Sequence, residues 1–206
     1  MTDYKNLTKL QIDGLKEVGN IGAGHAATAL SQVIDRTIMI KVSSVDIIPL
    51  QDISRVVKMP EAKVVCVSLQ VLGDIIGGIL LLFDWDNALA LADILKGEKP
   101  GISKILTERD ESALKEAGSI LSAAYLKAIG GLLKFTLIPS LPGLDIERLD
   151  KILEGVFKQL AKRAEIAFCI QTQFVEKDNN IMGNFLLIPE INGLEKILQA
   201  MGIENQ

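Results

Sequence analysis

The feature that most constrains this chain is that it is written twice. Setting Glu17 against Glu116, an offset of 99 residues, brings Leu15, Lys16, Gly19 and Ile21 onto Leu114, Lys115, Gly118 and Ile120. Without a gap, Ala29, Thr37, Asp46 and Leu50 then meet Ala128, Thr136, Asp145 and Leu149. Further on, "VVCVSLQV" parallels "AFCIQTQF", with Cys66 opposite Cys169 at an offset of 103, and "IIGGILLLF" parallels "IMGNFLLI". A repeat of this length is a structural unit used twice. The copies run over roughly residues 8–97 and 107–203, within one domain spanning 1–206. "GEKPGISK", with Pro100 and two glycines, reads as the linker between them.

Each unit reads as long helix, strand, connector, strand pair, short helix. The strands, such as "TIMIKV" and "KVVCVSLQVL", are β-branched. Strands joined by a short turn, as across "GDIIGG" or "EKDNN", must pair antiparallel. The expectation is an α+β fold with pseudo-two-fold symmetry: one antiparallel sheet fed by both halves, with the two long helices layered on it. In the second half "GLDIERLDKILEGVFKQLAKRA" reads as an added amphipathic helix, Leu144–Arg163, absent from the first half. That helix would cover the sheet or serve as a docking surface. Internal duplication can replace a homodimer, so a monomer is expected.

Composition narrows the function. Hydrophobic residues make up 49% of 206, mean hydropathy is +0.31, and the formal charge is −4 with scattered lysines and arginines. Such a chain builds a core and suits neither nucleic acid nor an anionic membrane as main partner. No basic start followed by an apolar run marks a signal peptide, and "IIGGILLLF" is too short to span a bilayer, so a cytoplasmic protein is expected. Cys66 and Cys169 lie in apolar stretches and read as buried reduced thiols. His25 is the one histidine, and no metal-ligand spacing is present.

The glycines of "DGLKEVGNIGAGHAATALSQVID" raise the question of a phosphate loop. Their order is Gly19-x-x-Gly22-x-Gly24, with no preceding strand and no Gly-Lys-Ser/Thr. On a helical wheel Leu15, Val18, Gly22, Ala26, Ala29 and Val33 instead gather within roughly 140–220° of Asp13, a stripe narrowed by small residues. Asp13, Glu17, Asn20, Gly24, Ala27 and Ser31 fall within about 40° of the opposite face. Gly22 then serves packing, and Gly24 leaves a bare patch where another protein's backbone can approach. Each glycine costs a helix about 1 kcal/mol against alanine. His25, at about 120°, falls toward the buried boundary.

Glu17 and Asn20, three residues apart, are surface neighbours with Asp13 one turn before. An amide and an acid alone lack a nucleophile or metal for cleaving a stable ester. They suit a reaction whose other parts come from a partner: the amide donates and accepts, and so orients a water, as a glutamine does in GTPases. The carboxylate suits a lysine on the partner.

At these residues the chain resembles the CheC/CheX/FliY family of phosphatases acting on phosphorylated CheY. The family pattern is Asp or Ser, three residues, Glu, two residues, Asn, then twenty-two residues and Pro. The first copy supplies Asp13, Glu17 and Asn20 with Ser43 for the proline; the second supplies Ser112, Glu116 and Pro142 with Ser119 for the amide. "GNIGAG" and the duplication extend the likeness to nearly the whole chain, and His25 stands where the family often has Asn. The resemblance implies a phosphatase of the aspartyl-phosphate of CheY-type receivers, in which Glu17 and Asn20 are catalytic. Glu17 would dock the receiver through its lysine and Asn20 would align the attacking water. Asp13, Gly24 and Glu116 would contact the receiver, while Ser112, Glu116 and Ser119 form a degenerate second site. The receiver would bring Mg²⁺, leaving this chain no cofactor or metal of its own. The other reading is an adaptor, weakly catalytic or inactive, binding CheD, CheY or both.

Overall fold

Alternation along the strands decides the architecture. In the computed structural model, residues 7–34, 39–57, 59, 63–160, 164, 166–176, 179–190 and 193–202 are described. The order is α1 (Lys9–Ile34), β1 (Met39–Pro49), a 3-10 turn (Leu50–Asp52), α2 (Ile53–Val56), β2 (Lys63–Gly73), β3 (Gly77–Asp84) and α3 (Trp85–Leu95). Then follow α4 (Glu108–Leu133), β4 (Leu137–Pro139), β5 (Gly143–Arg148), α5 (Leu149–Leu160), β6 (Ile166–Glu176), β7 (Asn179–Pro189) and α6 (Gly193–Ala200).

One seven-stranded sheet runs β1-β6-β7-β3-β2-β4, with β5 also on β2, and every pair is antiparallel. The strand after each long helix crosses to the other half: β1 pairs β6, whereas β4 and β5 pair β2. The two hairpins meet at β3 and β7 in the middle. Thus neither half holds its own outer strand, and both halves share one continuous sheet.

Odd residues of β2 (Val65, Val67, Leu69, Val71) enter one core with Leu15, Val18, Ala26 and Leu30 of α1, Leu121, Tyr125 and Leu126 of α4, and the inner faces of α3 and α6. The opposite face, Val64 and Cys66 with Leu80, Leu82, Cys169, Leu186 and Ile188, is closed by Ile53 of α2 and by Ile152 and Leu153 of α5. Period-two strands with apolar residues on both faces require such a two-sided cover.

Two expectations change. Leu144–Arg148 is strand, not helix: Leu144 to Arg148 pair with Val67 to Lys63, and burial alternates along β5. The helix begins at Leu149; residues 161–163 lie outside the described residues. Its apolar residues Ile152 and Leu153 are spent on the sheet rather than offered for docking. Of "TIMIKV", the described part from Met39 opens an eleven-residue strand that runs on to Pro49, and Thr37 and Ile38 lie outside the described residues.

The linker is pinned by side chains at its flanks. The Asp93 carboxylate, 0% exposed, accepts the N–H groups of Gly101 (2.9 Å), Ile102 (3.0 Å) and Ser103 (3.2 Å) and the Ser103 hydroxyl. Lys96 Nζ lies 2.7 Å from Asp110, which closes a capping box with Thr107 at the start of α4. Burial opposes ionisation of Asp93, but its hydrogen bonds from Ser103, Gly101 and Ile102 outweigh that and hold the carboxyl below the usual range. Asp110 is likewise lowered: burial acts against it, and Lys96 and Thr107 prevail. Lys96 is raised, chiefly by Asp110.

Candidate functional site

The 26 residues of α1 form a helix because their apolar positions recur at helical spacing, and the helix lies on the sheet beside α4. Leu15, Val18, Gly22 and Ala26 are buried, with Ala23 and Leu30 widening the stripe, and Ala29 is half-buried. The Val33 side chain lies outside the described residues. Asp13, Glu17, Asn20 and Gly24 are all exposed on the opposite side. Ala27 and Ser31 on that side are half-buried. His25 is exposed, not at a buried boundary: the helix sits lower on its Ala23–Leu30 flank than on the His25 flank.

Glu17 and Asn20 stand one turn apart, with side chains on the same strip of helix. Among the described residues no side-chain hydrogen bond or ion pair engages either of them. A carboxylate and an amide held on a rigid helix, pointing outward and uncommitted, present one acceptor-only group and one donor–acceptor group to whatever docks there.

The second set lies on α4. Ser112 and Glu116 are exposed and Ser119 is half-buried. The Ser112 hydroxyl donates to the Glu108 carbonyl at 2.8 Å, so it is drawn onto its own helix where Asp13 is not. The two sets therefore occupy two helices, each with its acid outward, and only the first carries an amide.

The proline position of the pattern separates the halves. Ser43 is exposed on β1 where the register to β6 shifts between Val42 and Ser44, a bulge inside one continuous strand rather than a loop. At the same offset Pro142 falls in the break between β4 and β5. A proline cannot donate to the ladder, and it stands where the strand is interrupted.

Among the described residues no group of three His, Cys, Asp or Glu is placed to hold a metal ion, and no helix is long and apolar enough to cross a membrane. Cys66 and Cys169 are buried. Sequence reasoning missed the Asp93–Lys96–Asp110 cluster; the one signal was an acid inside the apolar run "ALALADIL".

The site is thus an antiparallel sheet roofed by paired long helices, with an acid and an amide outward on the first. The family described as CheC-like matches residues 10–42, a range that takes in nearly all of α1 and the start of β1. Over 206 residues, 98% of this chain and 99% of the relative, the chain is 26% identical to the CheY-P phosphatase CheC of Bacillus subtilis. Among solved structures it shares the fold of FliY from Thermotoga maritima, with TM-score 0.79 and 22% identity over 97% of this chain and 100% of that one. A looser likeness, TM-score 0.53 and 16% identity over 83% and 97%, is to a chain of the CheX-CheY-BeF3-Mg+2 complex from Borrelia burgdorferi. The chain is thus similar to the CheC-like family at α1 and to CheC along nearly its whole length.

Proposed function

We propose that this chain accelerates hydrolysis of the aspartyl-phosphate of CheY-type response regulators in chemotaxis signalling. The observation that carries the reading is the pairing of Glu17 and Asn20, exposed and uncommitted on one face of α1. The relative of nearly full length is named for this activity.

The chemistry follows from what the two side chains can do. The Glu17 carboxylate pairs with a lysine of the receiver and fixes the docking register, an interaction that gains strength as docking excludes water. The Asn20 amide enters the receiver's site and holds a water in line with the phosphorus. The water oxygen forms the new P–O bond, the bond to the aspartyl oxygen breaks, the carboxylate is regenerated, and the water proton leaves with inorganic phosphate. Mg²⁺ held by the receiver neutralises charge on the phosphoryl oxygens; this chain contributes positioning, which is most of what phosphoryl transfer asks of a protein.

On α4, Glu116 is available to dock a second receiver, but Ser119 is a short, half-buried hydroxyl and does not reach the same water. The chain therefore has one working centre. The test is to mix the protein with a phosphorylated CheY-type receiver and time the loss of the phosphoryl group. Acceleration at sub-stoichiometric protein is expected, and none at stoichiometric protein would eliminate the reading.

A further inference from the structure

The glycines of α1 are not equivalent. A Cβ built on Gly22 would sit 2.5 Å from the Tyr125 ring, and one on Gly118 of α4 would sit 2.6 Å from Val67 Cγ1, so both are glycines because the fold leaves no room. A Cβ on Gly24 would meet nothing within 4 Å. Gly24 is exposed, in mid-helix, where glycine is the poorest choice after proline. Nothing in the described fold asks for glycine there.

Two observations connect that position to the site. Gly24 is one turn beyond Asn20 on the same strip, and the Thr28 hydroxyl donates to the Gly24 carbonyl at 3.1 Å, drawing that side chain down onto the helix. The strip beyond the amide is thus bared to its backbone. At the 99-residue offset α4 carries Ala123, also exposed, beside Ser119. The helix that has the amide has the glycine, and the helix that lacks the amide has a side chain.

We propose that Gly24 is where the main chain of the phosphorylated receiver closes on α1, so that residue 24 sets how tightly the receiver docks beside Asn20. This rests on the phosphatase reading and adds a specificity-determining contact to it. A contact of this kind is made equally in the bound and reacting states, so its loss weakens docking rather than the chemical step.

The test compares the full chain with Gly24→Ala and Ala123→Gly, measuring Tm and, with a phosphorylated CheY-type receiver, KM and kcat. Gly24→Ala is expected to raise Tm by about 2–4 °C while raising KM about tenfold or more, with kcat within about twofold. Ala123→Gly is expected to lower Tm by a similar amount and leave KM unchanged. A Gly24→Ala protein with wild-type KM, or with a lower Tm, would overturn the inference. Titration with a receiver carrying beryllofluoride separates it from the phosphatase reading. Weakened binding by Gly24→Ala without any hydrolysis by the wild type leaves the docking contact standing and removes the enzyme; hydrolysis with unweakened binding does the reverse.

Discussion

Gly22 of α1 lies against the ring of Tyr125 of α4, so close that a Cβ at 22 would meet two ring carbons at 2.5 Å. Tyr125 is buried and its ring centroid is 4.5 Å from that of Phe185 on β7, so the ring is the wedge between both long helices and the sheet. Gly22→Ala is expected to destabilise the protein by about 1–3 kcal/mol through overpacking. A cavity of about 20 Å³ beside the ring gives it little room to retreat. Thermal unfolding measures this, and the sign should be opposite to that of Gly24→Ala, two residues away.

The ionic cluster at Asp93, Lys96 and Asp110 makes stability pH-dependent in a stated direction. Both carboxyls titrate lower in the folded chain, so their contribution is present above the ordinary carboxylate pKa and lost as pH falls through the folded values. Lys96 titrates higher, so its contribution is present below the ordinary lysine pKa and lost as pH rises through the folded value. Tm is expected to be flat from about pH 5 to 9 and to fall below about pH 4. Lys96→Met should cost about 3 kcal/mol or more, because it leaves Asp110, 1% exposed, without its cation.

Cys66 and Cys169 occupy matching places. Cys66 on β2 pairs with Asp145 on β5, and Cys169 on β6 pairs with Asp46 on β1. Burial first, and the neighbouring carboxylate second, raise both thiols, Cys169 to about 12. Neither is expected to react with a thiol reagent at neutral pH until the chain unfolds; labelling against denaturant concentration checks this, and both thiols should become reactive with the global transition.

A gain of function tests the proposal that the set on α4 is idle. Glu116 is exposed three residues before Ser119 on α4, as Glu17 is before Asn20. Introducing Ser119→Asn into an Asn20→Ala background is expected to restore measurable dephosphorylation of the receiver. Restoration lost again on Glu116→Ala would tie the recovered rate to that helix.

These elements show where the sequence was legible. The phase of α1 followed from its stripe, and the hairpins from β-branched runs around short turns, because both are local patterns. The 99-residue offset placed Ser43 against Pro142 but not what they do: one permits a bulge in an unbroken strand, the other stands at a break between β4 and β5. Leu144–Arg148 reads as helix because helical spacing runs from Ile146 through Leu149 to Ile152 and Leu153, whereas the two-residue spacing of Leu144 and Ile146 is the strand alternation that pairing with β2 uses. The pinned linker was hidden for the same reason, since the groups that hold it lie eight to ten residues from Asp93 and meet only when folded. At the site, the outward face of Glu17 and Asn20 follows from the wheel, while the exposure of His25 depends on how the helix is seated.

The central claim concerns one amide, and single-turnover dephosphorylation of a phosphorylated CheY-type receiver by the Asn20→Ala protein tests it most directly. The account predicts that acceleration falls by about 100-fold or more while Tm and the affinity for a beryllofluoride-bearing receiver stay at wild-type values. A wild-type rate from Asn20→Ala would contradict it.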